Sequence, residues 1–319
     1  MSFHLKRAIK KSFCKLPLIR ELYFRDLEKS IAGARYVFFH SITANIGDLK
    51  SCPYEYFDFF RGEACAEVNN RHFRKYIYAC GTERVLKMLE GKIAIFGGGG
   101  LIEFEGHDNH TRTLEILAAF ASRGGRVVIW GAGHNRIFGF EKWLQEKGQN
   151  CYPSYFSKFT LVGTRDYPPE FEWIPCVSCM HPAFDDKFEE KYDYVAFLHG
   201  QESDKLRYAF ENIPSLGNID SEYQGNPEQG FRKSIEFIGS GRTLLTNSYH
   251  GLYWGTLLGK KVIAMPNSSK FLSFKYSYAR CDDLTQWQSY TDNVPSHASA
   301  LQECRAANLN FFDKVKSLA

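Results

Sequence analysis

The sequence predicts an α/β protein made of two Rossmann-like halves that meet at a ligand cleft. Short apolar runs alternate with longer segments of helical period, the rhythm of a parallel sheet with crossover helices. The rhythm stops at the Pro-rich stretch PEFEWIPCVSCMHPAF and then restarts. Most apolar runs end in glycine or polar residues, and in such folds ligands bind outside the carboxyl ends of the strands.

Taken in order, residues 1–20, MSFHLKRAIKKSFCKLPLIR, hold Lys6, Arg7, Lys10, Lys11, Lys15 and Arg20 with no acid, among Phe3, Leu5, Ile9, Phe13 and Leu16. That is a basic amphipathic helix pattern with two uses: packing on the fold, or resting on an anionic membrane surface. RYVFFHS, KIAIFGG, RVVIWGAG and LVGTRD then read as strands, and TRTLEILAAFASRGG and FGFEKWLQEKG as helices. After the connection, YDYVAFLHG, RTLLTNS and KKVIAMP read as strands, with PEQGFRKSIEFIGSG and YHGLYWGTLLG as helices. A last helix is expected around SHASALQECRAANLNFFDKVKSL. The expected organisation is a basic segment over 1–30, one half over 31–180 and a second half over 181–319 that includes the last helix.

Composition narrows the function classes. The chain has 319 residues, 44% hydrophobic and 24% charged, with a net charge of +4. That is ordinary globular content, long enough for two domains. Beyond residue 20 the bases are interleaved with acids, which argues against a nucleic-acid surface. No apolar run approaches the roughly 18 residues of a membrane span, and no secretory signal pattern is visible. A cytoplasmic protein is expected, with attachment to the inner membrane face resting on residues 1–20. Nine cysteines, an odd number in a chain too large to need staples, fit reduced thiols used in packing.

Six polar loops fall where the strands end: TANIGD (43–48), GGGGLIEFEGHDNH (97–110), GAGHN (131–135), TRD (164–166), LHGQES (198–203) and TNSYHG (246–251). Their convergence on one cleft is the main structural expectation. The glycine run is no dinucleotide fingerprint, because Ile102 or Glu103 takes the place of the final glycine, and no P-loop pattern exists. The glycines serve either close approach of a ligand or tight packing of two elements. GAGHN reads as a turn, with His134 structural. Glu103, Glu105, His107, Asp108 and His110 suit a sugar-binding rim. No metal site is expected there, since these side chains have no established common face, nor at Cys176, Cys179 and His181, which lack a second C-x-x-C.

In this order and spacing, Asn45-x-Gly47-Asp48, the GGG-x-[LI] run Gly98 to Ile102, the GAG turn, Arg165-Asp166, His181 to Phe184 and the block ending His250-Gly251 resemble the polysaccharide pyruvyl transferase family over most of residues 35–268. The resemblance implies transfer of a pyruvyl group from phosphoenolpyruvate to a saccharide or lipid-linked oligosaccharide as a ketal, on a GT-B-like pair of Rossmann-like domains with the acceptor on the N-terminal side and the donor on the C-terminal side. It implies His250 as acid and Arg165 as anion ligand, with no cofactor besides the donor substrate. One position departs: some members carry arginine two residues before the histidine, where this chain has Ser248.

The chemistry fits those residue types. A carboxylate and a phosphate call for a bidentate arginine and for helix N-terminal amides, here Ser248, Tyr249 and His250, while Lys270 and Lys275 are candidates for the charge absent at Ser248. Asp48 is either a base for the attacking hydroxyl or a helix N-cap. Asn45, Gly99, Gly100, Glu103 and His107 complete the expected acceptor side. The rival expectations are a GT-B-type glycosyltransferase with a nucleotide-sugar donor and a non-catalytic carbohydrate-binding or assembly protein.

Overall fold

The computed structural model describes residues 17–43, 45–102, 110–136, 139, 142, 152–199, 210, 212–217 and 226–319. Among the described residues the chain forms two sheets, and every strand pairing in them is parallel. The first holds β1 (Tyr36–His40), β2 (Cys65–Asn69), β3 (Ile93–Ile102), β4 (Arg126–His134), β5 (Leu161–Thr164) and β6 (Glu172–Trp173) in the order β2-β1-β3-β4-β5-β6. The second holds β7 (Tyr192–Leu198), β8 (Ser215–Gly217), β9 (Gly241–Thr246), β10 (Lys261–Ala264) and β11 (Ala279–Arg280) in the order β11-β10-β9-β7-β8.

The unbroken apolar runs follow from burial on both faces, since neighbouring residues of a strand point to opposite sides. Val37 and Phe39 of β1, Ala94 and Phe96 of β3 and Val127 and Ile129 of β4 pack under α1 (Pro17–Gly33), α4 (Asn70–Cys80), α5 (Thr82–Leu89) and α6 (Thr111–Ser122). Their neighbours Tyr36, Phe38, Ile93, Ile95, Val128 and Trp130 pack on the other side against Phe60 of the short helix α3 (Asp58–Gly62) and against the last helix, α9 (Ala300–Lys316). The second sheet repeats the scheme. Val195, Phe197, Leu244 and Val262 face α7 (Pro227–Gly239) and α8 (Tyr249–Leu257), whereas Ala196, Leu245 and Ile263 face Leu284 and Trp287.

The last helix ties the two sheets together. Ala300 and Cys304 at its start join the second core, while Phe311 and Val315 near its end join the first. Asn308 between them accepts a 2.9 Å hydrogen bond from Trp130 Nε1. A second tie runs from the short helix α2 (Ile46–Leu49): the ammonium of Lys50 bridges Glu55 at 2.8 Å and Glu228, at the start of α7, at 3.0 Å.

Two expectations need correcting. The glycine-rich loop and the GAG turn are not loops: Gly97–Gly100 lie inside β3, and Gly131 and Gly133 inside β4. At Gly97 and Gly98 backbone passes too closely for a side chain. A β-carbon would stand 2.0 Å from Trp130 O at Gly97 and 2.2 Å from Ser51 O at Gly98, and Gly97 and Gly99 have φ of +155° and +90°. The helix expected at FGFEKWLQEKG, together with residues 1–16, lies almost wholly outside the described residues. The described cysteines are free, Cys52, Cys176, Cys179, Cys281 and Cys304 being buried. Among the described residues no helix is long and apolar enough to cross a membrane.

Candidate active site

The carboxyl ends of both sheets open onto one cavity of about 140 Å³. The first sheet supplies Asn45 and Asp48 after β1, Gly100 of β3, Asn135 after β4 and Arg165 after β5. The second supplies His199 after β7, Asn247 to His250 after β9, and Asn267 and Lys270 after β10. All six polar segments singled out in the sequence therefore send at least one described residue to the same place. A smaller recess of about 30 Å³ adjoins it, between Gly47, Phe197, Ser234 and Trp254.

Arg165 is held from below. Asp166 is 1% exposed and accepts hydrogen bonds from the backbone N–H of His134 at 2.9 Å and the Tyr152 hydroxyl at 2.7 Å, while His134 Nδ1 lies 2.7 Å from the same oxygen. Burial pushes the Asp166 carboxyl up, but His134 and Arg165 outweigh it and hold it below its usual range. Gly133 leaves the space for this anchor, since a β-carbon there would meet Asp166 Oδ1 at 2.6 Å and Arg165 Cγ at 2.7 Å. The guanidinium itself lies 4.2 Å over the Tyr249 ring, and its buried Nε and Nη2 have no hydrogen-bond partner. Asn135 Oδ1, which also reaches the cavity, is likewise unpartnered. Buried donors without acceptors are costly, and an anion beside Arg165 would satisfy its two nitrogens.

Ser248 caps α8, its hydroxyl oxygen accepting from Gly251 N–H at 3.2 Å. Tyr249 and His250 occupy the first two helical positions, whose N–H groups have no intrahelical acceptor. The His250 ring packs against Trp254 with centroids 5.2 Å apart, and its Nε2 is buried without a partner. Burial, then the charges of Arg165, Lys270 and His199, push its pKa well below the ordinary imidazole value. The ring is therefore neutral near pH 7.

The remaining positions divide. Asn45, not Asp48, caps α2: Asn45 Oδ1 accepts the Asp48 N–H at 3.1 Å. The N-cap alternative for Asp48 is thereby corrected, because its carboxylate is left to accept from Thr43 Oγ1 at 3.3 Å and to face Gly99. Burial raises the Asp48 pKa against the opposing pull of Lys270, Thr43 and Arg165, which suits a proton acceptor. Lys270 reaches the cavity, and burial together with Arg165 lowers its pKa to about 8 against the pull of Asp48. Lys275 does not reach it: the ammonium is paired with Glu303 and sits 3.8 Å over the Trp173 ring, a correction to its expected donor role. Glu103 and His107 lie outside the described residues.

Sequence inspection missed His199 as an individual residue, Asn247 and Asn267. Asn247 bonds the backbone of His199 through both amide atoms, at 2.7 and 3.0 Å, and its carbonyl accepts from Asn267 Nδ2 at 2.9 Å, so the amides join the ends of β7, β9 and β10. For Asn247 the signal was an amide directly after an apolar strand. His181, within the resembling motifs, is structural: Nδ1 accepts from Ala183 N–H at 3.1 Å and Nε2 lies 3.0 Å from Glu228.

No protein-family model matches the sequence, and no curated protein does. Among solved structures, the chain is similar to a functionally uncharacterized protein of Klebsiella pneumoniae subsp. pneumoniae NTUH-K2044, with 18% identity, a TM-score of 0.41, and 77% of this chain and 89% of that one covered. It is also similar to an alpha-glucosyltransferase solved with UDP and a mismatched 13-mer DNA, with 10% identity, a TM-score of 0.37, and 89% of each chain covered.

Proposed function

We propose that the protein transfers a pyruvyl group from phosphoenolpyruvate to a hydroxyl pair of a cell-surface saccharide or lipid-linked repeat, and that its two sheets are two Rossmann-like domains in a GT-B-like arrangement. The observation that carries the proposal is the pairing of Arg165, with two buried and unsatisfied donor nitrogens, with the unpartnered Nε2 of His250 in one small cationic cavity. Arg165 and Lys270 would hold the donor's carboxylate and phosphate, Lys270 supplying the charge absent at Ser248. The bound dianion would raise the pKa of His250, so the donor would arm its own acid. His250 then protonates the methylene carbon, and a sugar hydroxyl adds to the resulting cationic carbon as Asp48 accepts its proton. Phosphate leaves, taking the proton held by Asp48, and the second hydroxyl closes the ketal as its proton returns to His250.

The test is phosphate release by the purified chain from phosphoenolpyruvate, with and without acceptor glycans, alongside calorimetric titration with a panel of nucleotide sugars. Acceptor-dependent phosphate release is expected. Binding of a nucleotide sugar without binding of phosphoenolpyruvate would replace this reading with the glycosyltransferase one, and binding of saccharide alone with the non-catalytic one. We further propose attachment to an anionic membrane face through residues 1–20, for which salt-sensitive co-sedimentation with anionic vesicles, lost on truncation, is the check.

A further inference from the structure

At the outer edge of the first sheet, away from the cavity lining, three side chains converge. His40 ends β1, Glu67 lies in the edge strand β2, and Cys52 precedes the turn Pro53–Glu55. The register pairs Phe38 with Glu67 and His40 with Asn69, so His40 and Glu67 share one face of the sheet. One ligand atom from each of His40, Cys52 and Glu67 lies within 4.8 Å of the other two.

The histidine is the telling member. It is 2% exposed, and neither ring nitrogen has a hydrogen-bond partner. Nε2 comes within 3.3 Å of Glu67 Oε1 but without the alignment of a hydrogen bond. A buried imidazole left unsatisfied is destabilising. Beside this one, a sulfur and a carboxylate oxygen stand within 4.8 Å of the ring nitrogen and of each other. Two ligands each about 2.1 Å from a tetrahedral ion stand about 3.4 Å apart, close to the His40–Glu67 separation.

We propose that His40, Cys52 and Glu67 bind one divalent metal ion of the zinc class, with a fourth position open to solvent on the exposed side of Glu67. An N, S, O donor set suits a borderline-soft ion and not magnesium or calcium. Binding takes Cys52 as its thiolate and releases the thiol proton to solvent, with no change of oxidation state. The ion would fasten both ends of the segment 41–51 to the edge strand. That segment carries Asn45 and Asp48, so the metal acts as a positioning device for the cavity wall and touches no reacting atom.

The experiment is titration of the full chain, stripped with chelator, with Co²⁺ in place of zinc. One equivalent is expected, with a thiolate-to-cobalt charge-transfer band in the near ultraviolet. Cys52→Ser should lose the band and Cys80→Ser should keep it, while Glu67→Gln should weaken Co²⁺ binding at least 10-fold with the band retained. Absence of the band in the wild type, or its persistence in Cys52→Ser, overturns the proposal. Should Cys52→Ser fail to fold, the partly exposed Glu67→Gln decides, since unchanged affinity there overturns it equally. These readouts involve no phosphoenolpyruvate, so they stand or fall separately from the proposed reaction.

Discussion

The backbone of Gly47 lies flat against the ring of His250: a β-carbon at position 47 would stand 2.0 Å from Nδ1 and 2.5 Å from Cγ. One element after the first sheet and one after the second thus fit together only because residue 47 has no side chain. Gly47→Ala has no way to fit without moving the ring or the helix that carries it, and overpacking of this kind typically costs about 1–3 kcal/mol. Turnover should fall as far as in a direct His250 replacement, with a lowered Tm and an intact fold by circular dichroism. Unchanged turnover in Gly47→Ala would separate the ring from the chemistry.

His250→Gln should lower turnover roughly 10²- to 10⁴-fold, the usual worth of a positioned general acid, without unfolding the chain. A sharper check uses its pKa, which burial and the neighbouring cations hold well below the ordinary value in the free protein. If the donor's phosphate raises it, binding takes up a proton at every pH between the free and the bound values. Calorimetry of phosphoenolpyruvate binding in buffers of different ionisation enthalpy should show this uptake in the wild type and its loss in His250→Gln.

Arg165→Ala removes charge-assisted hydrogen bonds worth about 1.5–3 kcal/mol, so donor affinity should fall roughly 10- to 150-fold with acceptor affinity little changed. It should also free Lys270 from its repulsion. Lys270 is lowered from 10.5 to about 8 by burial and then by Arg165, so in the native protein its charge, and with it donor affinity, is lost as pH rises through about 8. Between about 8 and 10.5 the unfolded chain holds the extra proton, so the free protein gains stability as pH rises across that window. Lys270→Met should flatten both profiles and raise the Tm at pH 7 while weakening donor binding. A binding profile that still falls above pH 8 in the variant would point to another group.

How much of this was legible depends on how local the cause is. Arg165 directly follows an apolar strand and His250 opens the helix after another, where parallel sheets place ligands, and both reach the cavity. Lys270 and Lys275 lie in the one stretch KFLSFKYSY, and nothing in it separates them. The separation comes from far along the chain: Ser269 exchanges two 2.9 Å hydrogen bonds with the backbone of Arg136, while Glu303 of the last helix captures Lys275. The GAG turn read as punctuation and the glycine run left ligand approach and tight packing both open, because the deciding neighbours, Trp130 O at Gly97, Ser51 O at Gly98 and the Asp166 and Arg165 side chains at Gly133, belong to the tertiary fold. β2, CAEVN, escaped notice because an edge strand with Glu67 exposed lacks the apolar run of its neighbours.

The clamp at Glu228 offers a test of how the two sheets are held together. Its carboxylate meets His181 Nε2 at 3.0 Å, Lys50 Nζ at 3.0 Å and Arg232 Nε at 2.8 Å. Burial raises its pKa, yet the hydrogen bonds from His181 and Lys50 outweigh burial and bring it from 4.5 down to about 2. The sign follows directly. A carboxyl more acidic in the folded than in the unfolded chain stabilises the fold fully above 4.5, and that contribution disappears as pH falls from 4.5 through about 2. Because nearly half of the Glu228 side chain is solvent-exposed, screening keeps the contribution modest. Glu228→Gln should therefore lower the Tm at pH 7, show a smaller deficit as pH drops below 4.5, and approach the wild type near pH 2. Lys50, left with Glu55 alone, would hold α2 less firmly against α7, so the variant should also lose turnover through Gly47 and Asp48 at unchanged donor affinity. A Tm deficit that is constant with pH would show that the carboxylate's charge is not what closes the clamp.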